Sequence, residues 1–213
     1  MKIRIFLLYI ILVAGLECCN NRQDISSGKE FKIVDSMQKD IPLTKSGKPK
    51  FLYRKFAKET SLLGIENLEE GFDSIQLRIW MPESIKNKRE VVIISNTKKK
   101  GWEAKIGRFY SIGNLDSNNM KIIDMEWKIV KPKSGWKFFL DSIFKLHITS
   151  LPDITHIKGY EVGADGDVFT FEIGIQNKYR FYQYWEPFLY QKKFWQALES
   201  VEIIQLLKEQ LRD

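Results

Sequence analysis

Four segments between residues 72 and 130 leave this chain few choices of fold. FDSIQLRIWM (72–81) alternates, with Ile75, Leu77 and Ile79 on one side and Gln76, Arg78 and Trp80 on the other. A period of two is that of a β-strand with two distinct faces. EVVIISN (90–96) is a short apolar run and TKKKG (97–101) a polar turn, and strand patterns follow over Trp102–Ser111 and Met120–Val130. Connections this short cannot hold a crossover helix, so successive strands must run antiparallel.

Helical spacing then takes over. Ser134 stands where an N-cap belongs, and Trp136, Phe139, Leu140, Ile143, Phe144 and His147 recur at i, i+3, i+4, i+7, i+8. The turn GADGD (163–167) leads into Val168–Gln176, Asn177-Lys178 reverses the chain into Tyr179–Trp185, and Pro187 ends that strand. A closing helix from about Gln191 to Leu211 lines up Phe194, Leu198, Val201, Ile204, Leu207 and Leu211. The expected domain is α+β and spans residues 51–213, with an antiparallel sheet in the order ββββ-α-ββ-α packed by two main helices.

The N-terminus has a different character. Lys2 and Arg4 precede twelve uncharged residues, Ile5 to Leu16, and the two cysteines of the chain follow side by side at 18 and 19. Twelve residues are too few to cross a bilayer as a helix and match the apolar core of a signal peptide. The segment resembles the lipobox of bacterial lipoproteins, with Leu16 three places and Cys18 one place before Cys19. Glu17 departs from the small or apolar residue usual there. The expectation is a signal peptide over 1–18 and acyl chains, palmitate among them, on Cys19. Cleavage before Cys19 would leave no free thiol in an oxidising compartment. An uncleaved anchor and a vicinal disulfide are the other readings.

Residues 19–50 are polar and without sustained periodicity, which predicts a tether between lipid and domain. Within 45–58, Lys45, Lys48, Lys50, Arg54, Lys55 and Lys58 stand without an acid among them, interleaved with Phe51, Leu52, Tyr53 and Phe56. A helix over Phe51–Leu63 with one buried face is the preferred reading, and a basic surface resting on anionic headgroups is the other. The whole chain carries a net charge of +7, and loss of residues 1–18 leaves +6. That excess favours anionic neighbours. Nucleic acid would fit the charge too, but an exported chain seldom meets it, so none is expected as a partner.

Over residues 72–213 the chain resembles Bacteroidetes-type bacterial lipoproteins. The residues that carry the likeness are Arg78-Ile79-Trp80, Gly101-Trp102, Ser134-Gly135-Trp136, Leu151-Pro152-Asp153, Asp165-Gly166-Asp167 and Lys178 to Tyr182. The resemblance implies an address in the cell envelope, with the outer membrane set ahead of the inner, and no particular chemistry.

Catalytic signals are sparse. His147 and His156 are the two histidines, and His147 reads as a packing residue on its helix rather than a zinc ligand. Ser150, His147 and Asp153 lie too close in sequence to converge as a triad, and no G-x-S-x-G elbow exposes a serine. No metal, cofactor or catalytic residue is expected. Glu161, Asp165, Asp167 and Glu172 surround a turn and supply the carboxylates of an alternative reading, an envelope hydrolase acting through residues 161–172. An immunity or inhibitor protein directed against a toxin is a further alternative. The first choice is a non-enzymatic module for a protein, peptide or glycan ligand. Its expected surface is Arg180, Tyr182 and Tyr184, with Trp80 as a neighbour across the sheet, since aromatic rings and arginine dominate binding surfaces.

Replacing Cys19 by Ser should release the chain from the membrane fraction or leave it unprocessed. A variant that fractionates and migrates like the wild type would contradict the lipid anchor.

Overall fold

A computed structural model of the chain describes residues 37–48, 50–82, 88–113 and 119–212, so the expected signal peptide and Cys19 lie outside the described residues. The elements in chain order are β1 (Gln38–Asp40), α1 (Phe51–Leu62), β2 (Phe72–Met81), β3 (Lys88–Thr97), β4 (Gly101–Ile112), β5 (Lys121–Val130), α2 (Trp136–Lys145), β6 (Val168–Gln176), β7 (Lys178–Trp185), α3 (Pro187–Tyr190) and α4 (Trp195–Leu211). The fold is a mixture of helix and strand around one seven-stranded sheet, ordered β1-β7-β6-β2-β3-β4-β5. Six strands run antiparallel to their neighbours, and β1 joins β7 in parallel.

The period of two in each strand sorts side chains onto two buried faces. On the first face Leu77 and Ile79 of β2, Val92 and Ile94 of β3, and Phe171 and Ile173 of β6 form one apolar cluster with Phe139 and Ile143 of α2 and Ile203, Ile204 and Leu207 of α4. On the second face Trp80, Val91, Ile93, Phe109, Tyr179 and Phe181 pack with Tyr53, Phe56 and Leu63 from α1 and its end. Burying residues of this kind stabilises a fold by roughly 1.5–3 kcal/mol each relative to exposure. Where β6 crosses the second face, Gly174 leaves the space that Leu68 fills, and a Cβ there would stand 3.0 Å from Leu68 Cδ2.

Several details differ from expectation. Ser134 does not cap α2; Gly135, at φ 80°, is the N-cap, and the Ser134 amide donates to Gln210 Oε1. The hairpin between β6 and β7 turns at Gln176-Asn177, since Ile175 pairs with Lys178. His147 lies beyond the end of α2 at φ 53°, and its ring is mostly exposed, 2.9 Å from a Glu199 carboxylate oxygen. Its position in the apolar repeat is cancelled because the helix ends before reaching it.

The largest difference concerns the stretch assigned to the tether. Gln38–Asp40 hydrogen-bond along Lys178–Arg180 as an edge strand, Met37 and Ile41 pack against the second-face cluster, and Pro42 is buried. Three polar residues gave no periodicity to read, and the pairing depends on a partner strand far along the chain. The other edge of the sheet is β5, which carries a register shift at Asp124 (φ 49°) and alternating charges that discourage further pairing.

A chain beginning at Pro42 should therefore be less stable than one beginning at Asp35 by about 1–2 kcal/mol, from the lost packing of Met37 and Ile41. That corresponds to several degrees in Tm. Equal melting would show that β1 contributes nothing.

Candidate functional site

The expected binding surface is not a surface. Trp80, Tyr182 and Tyr184 are at most 1% exposed, and Arg180 is half-buried. They also divide between faces: Trp80 belongs to the second-face cluster, Tyr182 and Tyr184 to the first. Strand β7 is covered on both sides because α1 lies over one and the chain between α2 and β6 over the other. The Tyr182 hydroxyl donates to the Ile148 carbonyl (2.6 Å) and the Tyr184 hydroxyl to the Pro152 carbonyl (2.8 Å). The Arg180 guanidinium donates to the carbonyls of Thr149 and Leu151 and to Asp40. In return Asp153 accepts from the Gln183 amide at 3.0 Å. These polar tips fasten the 148–153 loop along the edge of β7 that β1 leaves bare. Burial pushes both tyrosine hydroxyls above their ordinary range, so they remain donors.

The acids 161–172 are also separated. Glu161, Asp165 and Asp167 are exposed in the loop before β6, whereas Glu172 is buried on the second face. Among the described residues no group of three His, Cys, Asp or Glu is placed to hold a metal ion.

Glu172 instead anchors a polar network between α1 and the sheet. It sits directly across from Arg78 in the β2–β6 register, and both are almost fully buried. Its Oε2 accepts from Trp80 Nε1 at 2.6 Å and its Oε1 from the Tyr179 hydroxyl at 2.9 Å. Arg78 Nη1 lies 3.8 Å from Glu172 Oε2, an ion-pair distance without a hydrogen bond. The rest of the guanidinium donates to Gln76 Oε1 (2.6 Å) and to the Glu66 carbonyl. Burial pushes the Arg78 pKa down, and Glu172 opposes that shift. Burial and then the Glu172 charge raise Tyr179 well above the usual phenol range, keeping it a donor.

Two hollows flank this network and share the chain at Gly64-Ile65. One, of about 480 Å³, is bounded by Thr60, Ser61, Asn67, Glu69 and Glu70 and reaches Glu172 and Tyr179. The Thr60 hydroxyl is buried and has no hydrogen-bond partner among the described residues. Tyr53, close enough to Glu69 and Tyr179 to be influenced by both, makes no hydrogen bond of good geometry through its hydroxyl among the described residues. The second hollow, about 650 Å³, is bounded by Ile65, Phe72, Gln76, Ile93, Lys105 and Ile129, among others. Lys105 lies over the Trp127 ring at 4.4 Å, and burial followed by the Arg78 charge lowers its pKa.

Sequence reading missed Arg78 and Glu172 as partners, though one signal was present: each is a charge flanked by apolar residues within a strand-like run. Only the register, which sets β2 beside β6, joins them. No protein-family model, curated protein or solved structure matches the chain.

Glu172→Leu strands Arg78 as a buried charge and removes the acceptor of two donors, and should cost about 3–5 kcal/mol in urea unfolding. A double variant with Arg78→Met should recover part of that loss. A single-variant cost below about 1 kcal/mol would mean that the pair is solvated and has no organising role.

Proposed function

We propose that the protein is a lipid-anchored component of the bacterial cell envelope, held through Cys19, that binds a small donor-rich ligand without catalysis. The observation that carries the binding reading is the hollow of about 480 Å³ between α1 and the second face. Its size lies within the range of ligand pockets, roughly 300–1,000 Å³. Its polar lining is rich in acceptors: the carboxylates of Glu69, Glu70 and Glu172, the hydroxyls of Thr60, Ser61 and Tyr179, and the Asn67 amide. Such a wall favours a ligand that supplies N–H or O–H groups, as an amine or a glycan does. The network behind it is fixed by packing and hydrogen bonds, which lowers the entropy lost on binding.

The hydrolase alternative draws less support. A glycoside-cleaving pair needs two carboxylates facing one another across the bond, one of them able to give up a proton. Both oxygens of Glu172 already accept from fixed donors, the Trp80 indole and the Tyr179 hydroxyl, and no second acid of that stretch faces it. The other three acids of that stretch are exposed in a separate loop. The anchor keeps the motivation given by the apolar run and the cysteine pair, and the resemblance to Bacteroidetes-type lipoproteins agrees with it.

A thermal-shift screen of amino sugars, neutral sugars, polyamines and amino acids tests the binding reading. A true ligand should raise the Tm of the wild type and lose that effect in Glu69→Gln/Glu70→Gln, which alters the lining and spares Glu172. At a hundredfold excess over Kd the stabilisation would be about 2.7 kcal/mol. Equal stabilisation of both proteins, or turnover of any sugar or peptide tested, would contradict this function.

A further inference from the structure

We infer that the chain at Leu43–Lys48, Lys50 and the outer side of α1 form a second, electrostatic contact with an anionic lipid surface. In this stretch Lys45, Lys48 and Arg54 are exposed, and Lys50, Lys55 and Lys58 are partly exposed. Two of the nearby acids are engaged with other residues: Asp40 pairs with Arg180, and Glu59 is buried against Arg89. Two apolar side chains accompany the charges, Leu43 at 50% and Leu52 at 36% exposure. The buried side of the same helix, Tyr53 and Phe56, is committed to the sheet, so the basic side has to face outward. Cations with exposed aliphatic side chains among them match a leaflet of anionic headgroups over acyl chains.

The orientation rests on the lipid-anchored reading. From Cys19 to the first described residue, Met37, a chain of this length spans at most about 60 Å when extended, so the anchor would keep the basic surface within reach of the bilayer. With acyl chains on Cys19 supplying the anchoring, the basic surface would set which side of the domain faces the leaflet. The contact would also hold α1, and the hollow beneath it, near the headgroups.

The test separates this surface from the anchor by using the mature chain from residue 19 with Cys19→Ser, which keeps every described residue. It is sedimented with vesicles of phosphatidylcholine containing phosphatidylglycerol, and with phosphatidylcholine alone. The expected result is binding to the anionic vesicles only, lost near 1 M salt, where the screening length is about 3 Å. Each basic residue near such a surface is worth roughly fivefold in partitioning. Lys45→Glu/Lys48→Glu/Lys55→Glu/Lys58→Glu should therefore bind at least about tenfold more weakly, with an unchanged circular dichroism melt. Lys98→Glu/Lys99→Glu/Lys100→Glu, in the β3–β4 turn, should bind almost as the wild type does. Equal loss in both variants would reduce the effect to net charge and overturn the inference. No binding to anionic vesicles would overturn it too, as would retention on heparin without vesicle binding, which would point to a glycan. None of these outcomes bears on acylation, which the Cys19→Ser fractionation tests in the cell.

Discussion

The second face of the sheet is organised by one cross-strand pair, Arg78 opposite Glu172. Taking two charges out of water costs several kcal/mol per ion, and mutual attraction offsets that only when hydrogen bonds satisfy the remaining atoms. Most of that condition is met here. Glu172 draws in Trp80 and Tyr179, and Arg78 draws in Gln76 and the Glu66 carbonyl. The bond to the Glu66 carbonyl ties down the chain that follows α1, and both hollows border that chain at Gly64-Ile65. Apolar residues of similar volume would fill the same space with less desolvation, so the pair contributes definition more than stability.

The two faces divide the labour of the fold. The first is an apolar layer closed by α2 and α4, and its few polar tips hold the 148–153 loop through backbone carbonyls. Fastening that loop protects an edge that would otherwise offer free amides and carbonyls to another strand. Tyr182, Tyr184 and Arg180 thus serve the architecture, although their composition suits an interface. The second face is only partly covered, and both hollows and the basic outer side of α1 belong to it.

What the sequence made legible follows from the range of the forces involved. The strands from Phe72 to Val130 and the helix beginning at Trp136 announce themselves because side-chain periodicity is local. Strand β1 is invisible in QKD, since its reason for being extended lies at Lys178–Arg180. Arg78 looked like the polar side of a half-buried strand, and Glu172 like part of a turn-side acidic group, because neither residue states which strand lies beside it. The same limit explains Tyr182 and Tyr184. Tyr182 and Tyr184 do lie on the face opposite Tyr179 and Phe181, but both faces of β7 are covered, and local pattern cannot count layers.

The claim that the Arg78–Glu172 network is a fixed element of the native fold is tested most directly by hydrogen exchange at the Trp80 indole, followed by NMR. The indole N–H donates to a buried carboxylate at 2.6 Å. It should exchange only through global unfolding, at a rate that matches the slowest core amides of β2 and β6. Exchange within minutes, at the pace of an exposed indole and far ahead of those amides, would contradict the account.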